Sequence, residues 1–203
     1  MDIIIVILFS YLSGSIPFGL ILTKIFRGQD VRDIGSGNIG ATNVLRPGNK
    51  FLAALTLVLD ILKGYIPVII TQQYFPGLIQ LSCLLAFLGH VFPVWLKFKG
   101  GKGVATYLGI LLALSIQLGL LFMFTWLAVS LIFRYSSLSS MFSSLTVLVV
   151  TLIKDTALQS IASNTYVEEE IKLILFIFFI LIIFTHRRNI SNLKNKAEHK
   201  IKI

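Results

Sequence analysis

Acidic charge is scarce in this chain: Asp and Glu together number nine among 203 residues, against eighteen Lys and Arg, and charged residues make up only 13%. Soluble domains carry about 25% charged residues, so that class is excluded. Cysteine occurs once, as Cys83 inside an apolar run, which rules out an intramolecular disulfide. Histidine occurs three times and no Cys/His cluster stands at metal-ligand spacing. No metal and no cofactor are therefore expected. The chain opens without a basic n-region or an obvious cleavage site, so its first apolar segment is expected to remain as a span and not to leave as a signal peptide. There is no long-period repeat, no inverted repeat of the kind transporters carry, and no low-complexity tract beyond Leu/Ile enrichment.

What the chain has in abundance is apolar length. Hydrophobic residues are 56% of the total and the mean hydropathy is +0.87, the composition of a polytopic membrane protein. About 20 apolar residues in a helix cross the hydrocarbon core. Candidate segments run over 3–22, 51–71 and 78–96, then a longer 104–133, with weaker ones at 138–153 and 167–185. The fold class expected is an all-α membrane protein, a polytopic helical bundle.

The distribution of the net charge of +9 sets the topology. Basic residues cluster from Lys24 to Lys50, at Lys97, Lys99 and Lys102, at Arg134, and from Arg187 to Lys202, whereas Glu168, Glu169, Glu170, Asp155 and Asp2 form the acidic complement. The positive-inside rule places the basic segments in the cytoplasm. Thirty helical residues over 104–133 would measure about 45 Å, and as one crossing would carry the later basic clusters outside. Ser115, Gln117 and Gly119 mark a break that splits this segment into two short crossings or a re-entrant hairpin. The expectation is about seven transmembrane helices, two of them short and within 104–133, with the N-terminus outside and the C-terminus cytoplasmic. Five spans is the alternative, with 104–133 as one tilted helix and 138–153 not crossing. Clustered on a membrane rim, the basic charge does not call for nucleic acid.

Polar breaks in an apolar pattern are where chemistry is to be sought. SGSIPFG, residues 13–19, supplies small and helix-breaking residues inside the first span. GSGNIGATNVLR, residues 35–46, fits G-x-G-x-x-G at Gly35, Gly37 and Gly40, but an apolar span precedes it and no βαβ unit follows, so a dinucleotide fold is excluded. Its glycines suit a backbone nest for an anion, Arg46 offers a bidentate fork, and Asn38, Thr42 and Asn43 add hydrogen-bonding groups; a turn-rich linker is the plainer reading. KFKGGKGVAT, residues 97–106, lacks the order of a Walker A loop and reads as a second phosphate cradle at a helix start, with Gly100, Gly101, Lys102 and Gly103 at its centre. Snorkelling lysines are the alternative there. His90, beside Pro93, reads as a structural histidine in preference to a buried base, and Asp60 with Lys63, at i,i+3, as a structural ion pair. RYSSLSS, residues 134–140, contains Ser137, and HRRN, residues 186–189, sets His186 and Asn189 on one face if the helix continues. Two basic glycine loops on one face call for ligands bearing phosphate. Their spacing leaves open whether the ligand is transformed or carried.

At these residues the chain resembles the bacterial membrane-integral acyl phosphate:glycerol-3-phosphate acyltransferases. GSIPFG, GSGNIGATNVLR and LGHVFPVWLKFKGGKGVAT match that family's three signature motifs in order, YSSL and HRRN resemble two later landmarks, and the match covers roughly residues 10–192. Segment 155–170 and the tail after residue 192 match nothing distinctive and receive no role. The resemblance implies an integral membrane acyltransferase domain over 1–192 and a basic cytoplasmic tail over 193–203, in a multi-pass protein of the bacterial inner membrane whose active site is on the cytoplasmic side. It implies transfer of a long-chain acyl group from acyl phosphate to the sn-1 hydroxyl of glycerol 3-phosphate, giving lysophosphatidic acid and phosphate, the first step of phospholipid synthesis. Partners are then acyl phosphate, glycerol 3-phosphate, membrane lipid and an acyl-phosphate-producing enzyme. Ser36, Arg46, Lys102, His186 and Asn189 become candidate catalytic residues. Gly35, Gly37, Asn38, Thr42, Asn43, Gly100, Gly101, Gly103 and Ser137 become candidates for binding substrate. The H-x4-D pair of soluble acyltransferases is absent, so a His/Asp base pair is not expected. A transporter of a phosphorylated solute is the competing function.

Overall fold

The computed structural model describes residues 1–157 and 170–201, so Glu168 and Glu169 lie outside the described residues. It is helical, with no strand among the described residues, which agrees with the expected all-α class. The chain forms two units, Met1–Ile116 and Gln117–Ile203.

In the first unit α1 (Asp2–Ser15) stops where Pro17 forces the preceding residue out of the helical region: Ile16 is extended at φ −63, ψ 117. α2 (Phe18–Arg27) resumes, and the two together form one apolar stretch of 26 residues. Gly28, at φ 61, closes α2 by donating its N–H to the Lys24 carbonyl at 3.0 Å. After a loop that holds the five-residue α3 (Ala41–Leu45), Asn49 starts α4 (Lys50–Tyr74), its Oδ1 accepting from the Leu52 N–H at 3.0 Å. α5 (Ile79–Val91) and α6 (Val104–Leu114) complete the unit.

α1 packs on α5 and α4 on α6. Both pairs approach closely because small residues face backbone: a Cβ on Gly14 of α1 would overlap the Ala86 carbonyl of α5, and one on Gly64 of α4 the Thr106 carbonyl of α6. Buried between the helices, Lys63 pairs with Asp60 at 2.7 Å, both side chains 2% exposed. Lys63 Nζ also donates to the Ile16 carbonyl at 2.7 Å. That carbonyl lies at the break before Pro17, so the kink in α1 supplies the acceptor that a buried ammonium requires. Pro67 repeats the device one turn on in α4: it has no N–H for the Lys63 carbonyl, which accepts instead from Ser13 Oγ at 3.3 Å.

The expected break in 104–133 falls at Ser115, extended at φ −161, ψ 124, between α6 and α7 (Ile116–Phe133). α6 has 11 residues, about 16 Å of helix, half the thickness of a hydrocarbon core. Among the described residues five helices are long and apolar enough to cross a membrane, or six if a bent pair counts as one.

The bent pair belongs to the second unit, where α9 (Glu170–Thr185) and α10 (Arg187–Lys194) meet at 56°. Arg134, left-handed at φ 61, turns α7 into α8 (Ser136–Ala157). α8 packs on α9 and carries the buried Ser137, Ser139, Ser140, Ser143 and Ser144. Most of their hydroxyls are satisfied locally: Ser139, Ser140 and Ser143 each donate to the carbonyl four residues back, at 2.9, 2.8 and 2.6 Å. A serine-rich helix thus sits in an apolar setting with its polar atoms paired.

Candidate active site

The first glycine loop is organised by Asn43, which is 2% exposed. Its Nδ2 donates to the carbonyls of Val31 at 2.9 Å, Ile34 at 2.9 Å and Asn38 at 2.8 Å. Its Oδ1 accepts from the Ser36 N–H at 2.9 Å and the Ser36 hydroxyl at 3.2 Å. Asn43 therefore holds the loop from within. Gly35, at φ 56, adopts a conformation that glycine reaches without penalty, and a Cβ there would overlap the Arg46 side chain. The Arg46 stem crosses the Gly35 backbone, next to Ser36. Asn38 Oδ1 accepts from the Gly40 N–H at 3.0 Å, Gly37 sits at φ 69, and Thr42 is on the exposed side. Gly19 of the SGSIPFG motif explains why that motif belongs here: a Cβ on it would overlap the Ile39 carbonyl, so α2 and the loop touch backbone to backbone.

The loop's entry is pinned by charge. Arg32 donates twice to Asp30, Nε to Oδ1 at 2.9 Å and Nη2 to Oδ2 at 2.7 Å, and Lys24 Nζ stands 3.6 Å from Oδ2. The Arg32 hydrogen bonds hold the Asp30 carboxyl well below the usual carboxylate range, against a smaller opposing effect of burial, and the same contact raises Arg32.

The second loop hangs from the end of α5. Gly100 N–H donates to the Val91 carbonyl at 3.1 Å and Gly101 N–H to the His90 carbonyl at 3.0 Å, using carbonyls that a helix end leaves over. A Cβ on Gly101 would overlap the His90 imidazole, so ring and loop are in contact. His90 is 3% exposed and its Nδ1 lies 3.9 Å from Asp60 Oδ1. This ties the loop, through His90, to the Asp60–Lys63 pair. Gly103, at φ 82, opens α6, with half-buried Lys102 one residue before it. Leu96 packs against the apolar cluster that contains Ile39, Val44 and Leu52. The turn that precedes the second glycine loop thus meets the floor of the first.

The amide of Ser36 donates inside its own loop, and that of Gly101 to the end of α5.

In the second unit two of the remaining sequence candidates, Ser137 and Asn189, gather on a residue that sequence reasoning passed over. Glu198 Oε1 accepts from Ser137 Oγ at 2.8 Å and from Asn189 Nδ2 at 2.6 Å, and Oε2 accepts from Asn192 Nδ2 at 3.4 Å. The tail is held in place as well, because the Ile201 N–H donates to the Arg134 carbonyl at 2.7 Å. The signal was there as a lone carboxylate in a basic tail. His186 is 1% exposed at the bend between α9 and α10, its Nδ1 2.8 Å from the Ile182 carbonyl. A carbonyl only accepts, so Nδ1 carries the proton and, in the neutral ring, Nε2 is the basic nitrogen.

Apolar helices long enough to cross a bilayer, interrupted by cation-bearing glycine loops, define an integral membrane protein. Comparison with known proteins is more particular. A family model described as glycerol-3-phosphate acyltransferase matches residues 4–196, and the chain belongs to that family. It is 53% identical to the glycerol-3-phosphate acyltransferase of Pelagibacter ubique, with all of both chains covered. It is 49% identical to that of a Wolbachia from Brugia malayi, over 98% of this chain and 99% of the relative. Among solved structures it is similar to PlsY, an integral membrane glycerol 3-phosphate acyltransferase. The glycerol 3-phosphate form gives a TM-score of 0.88 at 35% identity, covering 100% of this chain and 96% of that one. The lysophosphatidic acid form gives 0.85 at 34% identity, covering 98% and 95%.

Proposed function

We propose that this chain moves a long-chain acyl group from an acyl phosphate to the sn-1 hydroxyl of glycerol 3-phosphate, producing lysophosphatidic acid and inorganic phosphate. The reaction takes place on the cytoplasmic side of a bacterial inner membrane that the chain crosses about seven times, with segment 104–133 divided at Ser115. Family membership supports the reaction, as do relatives named for glycerol-3-phosphate acyl transfer and a similar structure in a lysophosphatidic acid form.

The observation that supports the assignment of residues is the contact of Leu96, in the turn before the second loop, with the apolar cluster beneath the first; Arg46 and Lys102 belong to these two loops of one unit. Both substrates bear phosphate, and these two cations bind phosphoryl groups, Arg46 as a fork and Lys102 as a point charge at the start of α6. Ser36, its hydroxyl oriented by Asn43, and the glycines beside it shape the first cradle; Asn43 is a positioning residue. Asn189 and Ser137, organised by Glu198, and His186 serve the glycerol hydroxyl.

In the reaction the sn-1 oxygen adds to the acyl carbon, its proton passes to His186 Nε2 or to a substrate phosphate oxygen, and the carbon–oxygen bond to phosphate breaks. Inorganic phosphate leaves with that bond's electrons. The donor is an anhydride with a good leaving group, so positioning and charge stabilisation are the main needs.

Purified protein in vesicles, given palmitoyl phosphate and labelled glycerol 3-phosphate, tests the assignment. Label is expected in lysophosphatidic acid. Label that enters the lumen unchanged would establish a transporter and overturn it. Arg46→Lys keeps the charge and loses the fork; a charged hydrogen bond is worth about 1.5 to 3 kcal/mol, so kcat/KM is expected to fall by about ten- to a hundredfold.

A further inference from the structure

Between α5 and the Gly100–Gly103 cradle, the chain makes a turn that no part of the proposed reaction uses. Phe92, Val94, Trp95 and Phe98 are 38, 41, 61 and 59% exposed, and the exposed Lys97 and Lys99 lie among them. Lys97 and Phe98 are consecutive left-handed residues, at φ 51 and 61, and neither is glycine. Such residues carry strain that persists only where surrounding contacts impose it. Here the Phe98 N–H donates to the Pro93 carbonyl at 3.0 Å and the Lys99 N–H to the Leu96 carbonyl at 3.1 Å, while Leu96 is anchored in the floor of the first loop. The strained turn sends Leu96 inward and leaves the neighbouring Trp95 and Phe98 facing outward.

We infer that this turn is a bilayer-interface anchor: Trp95 and Phe98 seat in the headgroup layer, Lys97 and Lys99 pair with anionic lipid phosphates, and the cradle that follows is held at the depth of that layer. Three observations select lipid as the occupant. The turn lies at the end of the apolar stretch Pro76–Leu96, whose 21 residues are long and apolar enough to span. Its aromatic residues are of the kind that settle at a membrane–water boundary. Its two cations complement anionic headgroups. The consequence for catalysis rests on the acyl-transfer reading; the seat itself does not.

The test uses the full chain in phosphatidylcholine/phosphatidylglycerol vesicles. The chain has two tryptophans, Trp95 and Trp126, so Trp126→Phe leaves Trp95 as the sole reporter, and the difference between native protein and Trp95→Phe gives the same signal should the first variant fold poorly. Trp95 emission is expected to be quenched more by lipids brominated near the headgroup than by lipids brominated near the chain end, and to resist iodide. Quenching by iodide equal to that of free indole would overturn the inference. So would protection from iodide without any quenching by brominated lipid, because that pattern means a protein partner covers the turn. A paired Trp95→Ser and Phe98→Ser variant is expected to raise KM for a membrane-borne acyl donor severalfold while leaving KM for glycerol 3-phosphate unchanged. If the depth pattern holds in a protein that shows no acyl transfer, the anchor stands and the functional reading fails.

Discussion

Replacing Asp60 with Leu removes one member of the buried ion pair in the first unit. The carboxylate lies 2.7 Å from Lys63 Nζ with both side chains 2% exposed, so its removal leaves an ammonium inside the bundle with the Ile16 carbonyl at 2.7 Å and the Phe18 ring at 5.7 Å. Removing one member of a buried pair costs about 3 to 5 kcal/mol, whereas replacing both with apolar groups is often close to neutral. At about 2 to 4 °C per kcal/mol for a chain of this size, Asp60→Leu should lower the melting temperature by about 6 to 20 °C. The double variant Asp60→Leu with Lys63→Met removes the stranded charge. It also leaves the Ile16 carbonyl, freed by Pro17, without its donor, a loss of about 1 to 3 kcal/mol. The double variant should therefore melt above the single one and still below the native protein. Thermal unfolding in detergent, followed by loss of the monodisperse peak on size exclusion, reads both differences. A single variant within 2 °C of native, or a double no better than the single, would refute the reasoning, since either result means the pair is not isolated from water.

Three further outcomes are expected. Gly101→Ala places a methyl on the His90 ring, shifts the Lys102 cradle and should reduce turnover by about a hundredfold, the scale of a 1 Å misplacement; turnover within twofold of native would show that the contact is slack. The Asp30 carboxyl is held below its ordinary value by Arg32, so the stability it contributes is complete above about pH 4 and is lost as the pH falls below that. Asp30→Asn should accordingly lower stability at neutral pH, leave stability at the acid end little affected, and so flatten the acid limb of the stability curve; an unchanged acid limb would show that the pair contributes nothing. Finally, cysteines introduced at Lys50 and Lys196 should react with an impermeant maleimide only after the inner membrane is opened, with Cys83, buried, silent. Labelling of one of the two in intact spheroplasts would place the first glycine loop and the tail on opposite faces.

Local properties of the chain were enough for the class and the outline. Hydropathy and helix length are read within a window of about 20 residues, so the spans, the interruption before Pro17 and the break at Ser115 were legible in order. Glycine spacing and the positions of Arg46 and Lys102 marked both loops for the same reason, since a tight turn imposes its demand on the residues that form it. Partners far apart in the chain were not legible. Glu198 meets Ser137 across 61 positions, and Lys63 meets the Ile16 carbonyl across 47. Asn43 read as a group that faces a ligand, yet it is the buried hub of its own loop. Hydrogen-bonding capacity is a property of a residue type, while its use depends on which atoms the packed helices bring within about 3 Å, and only the tertiary structure decides that.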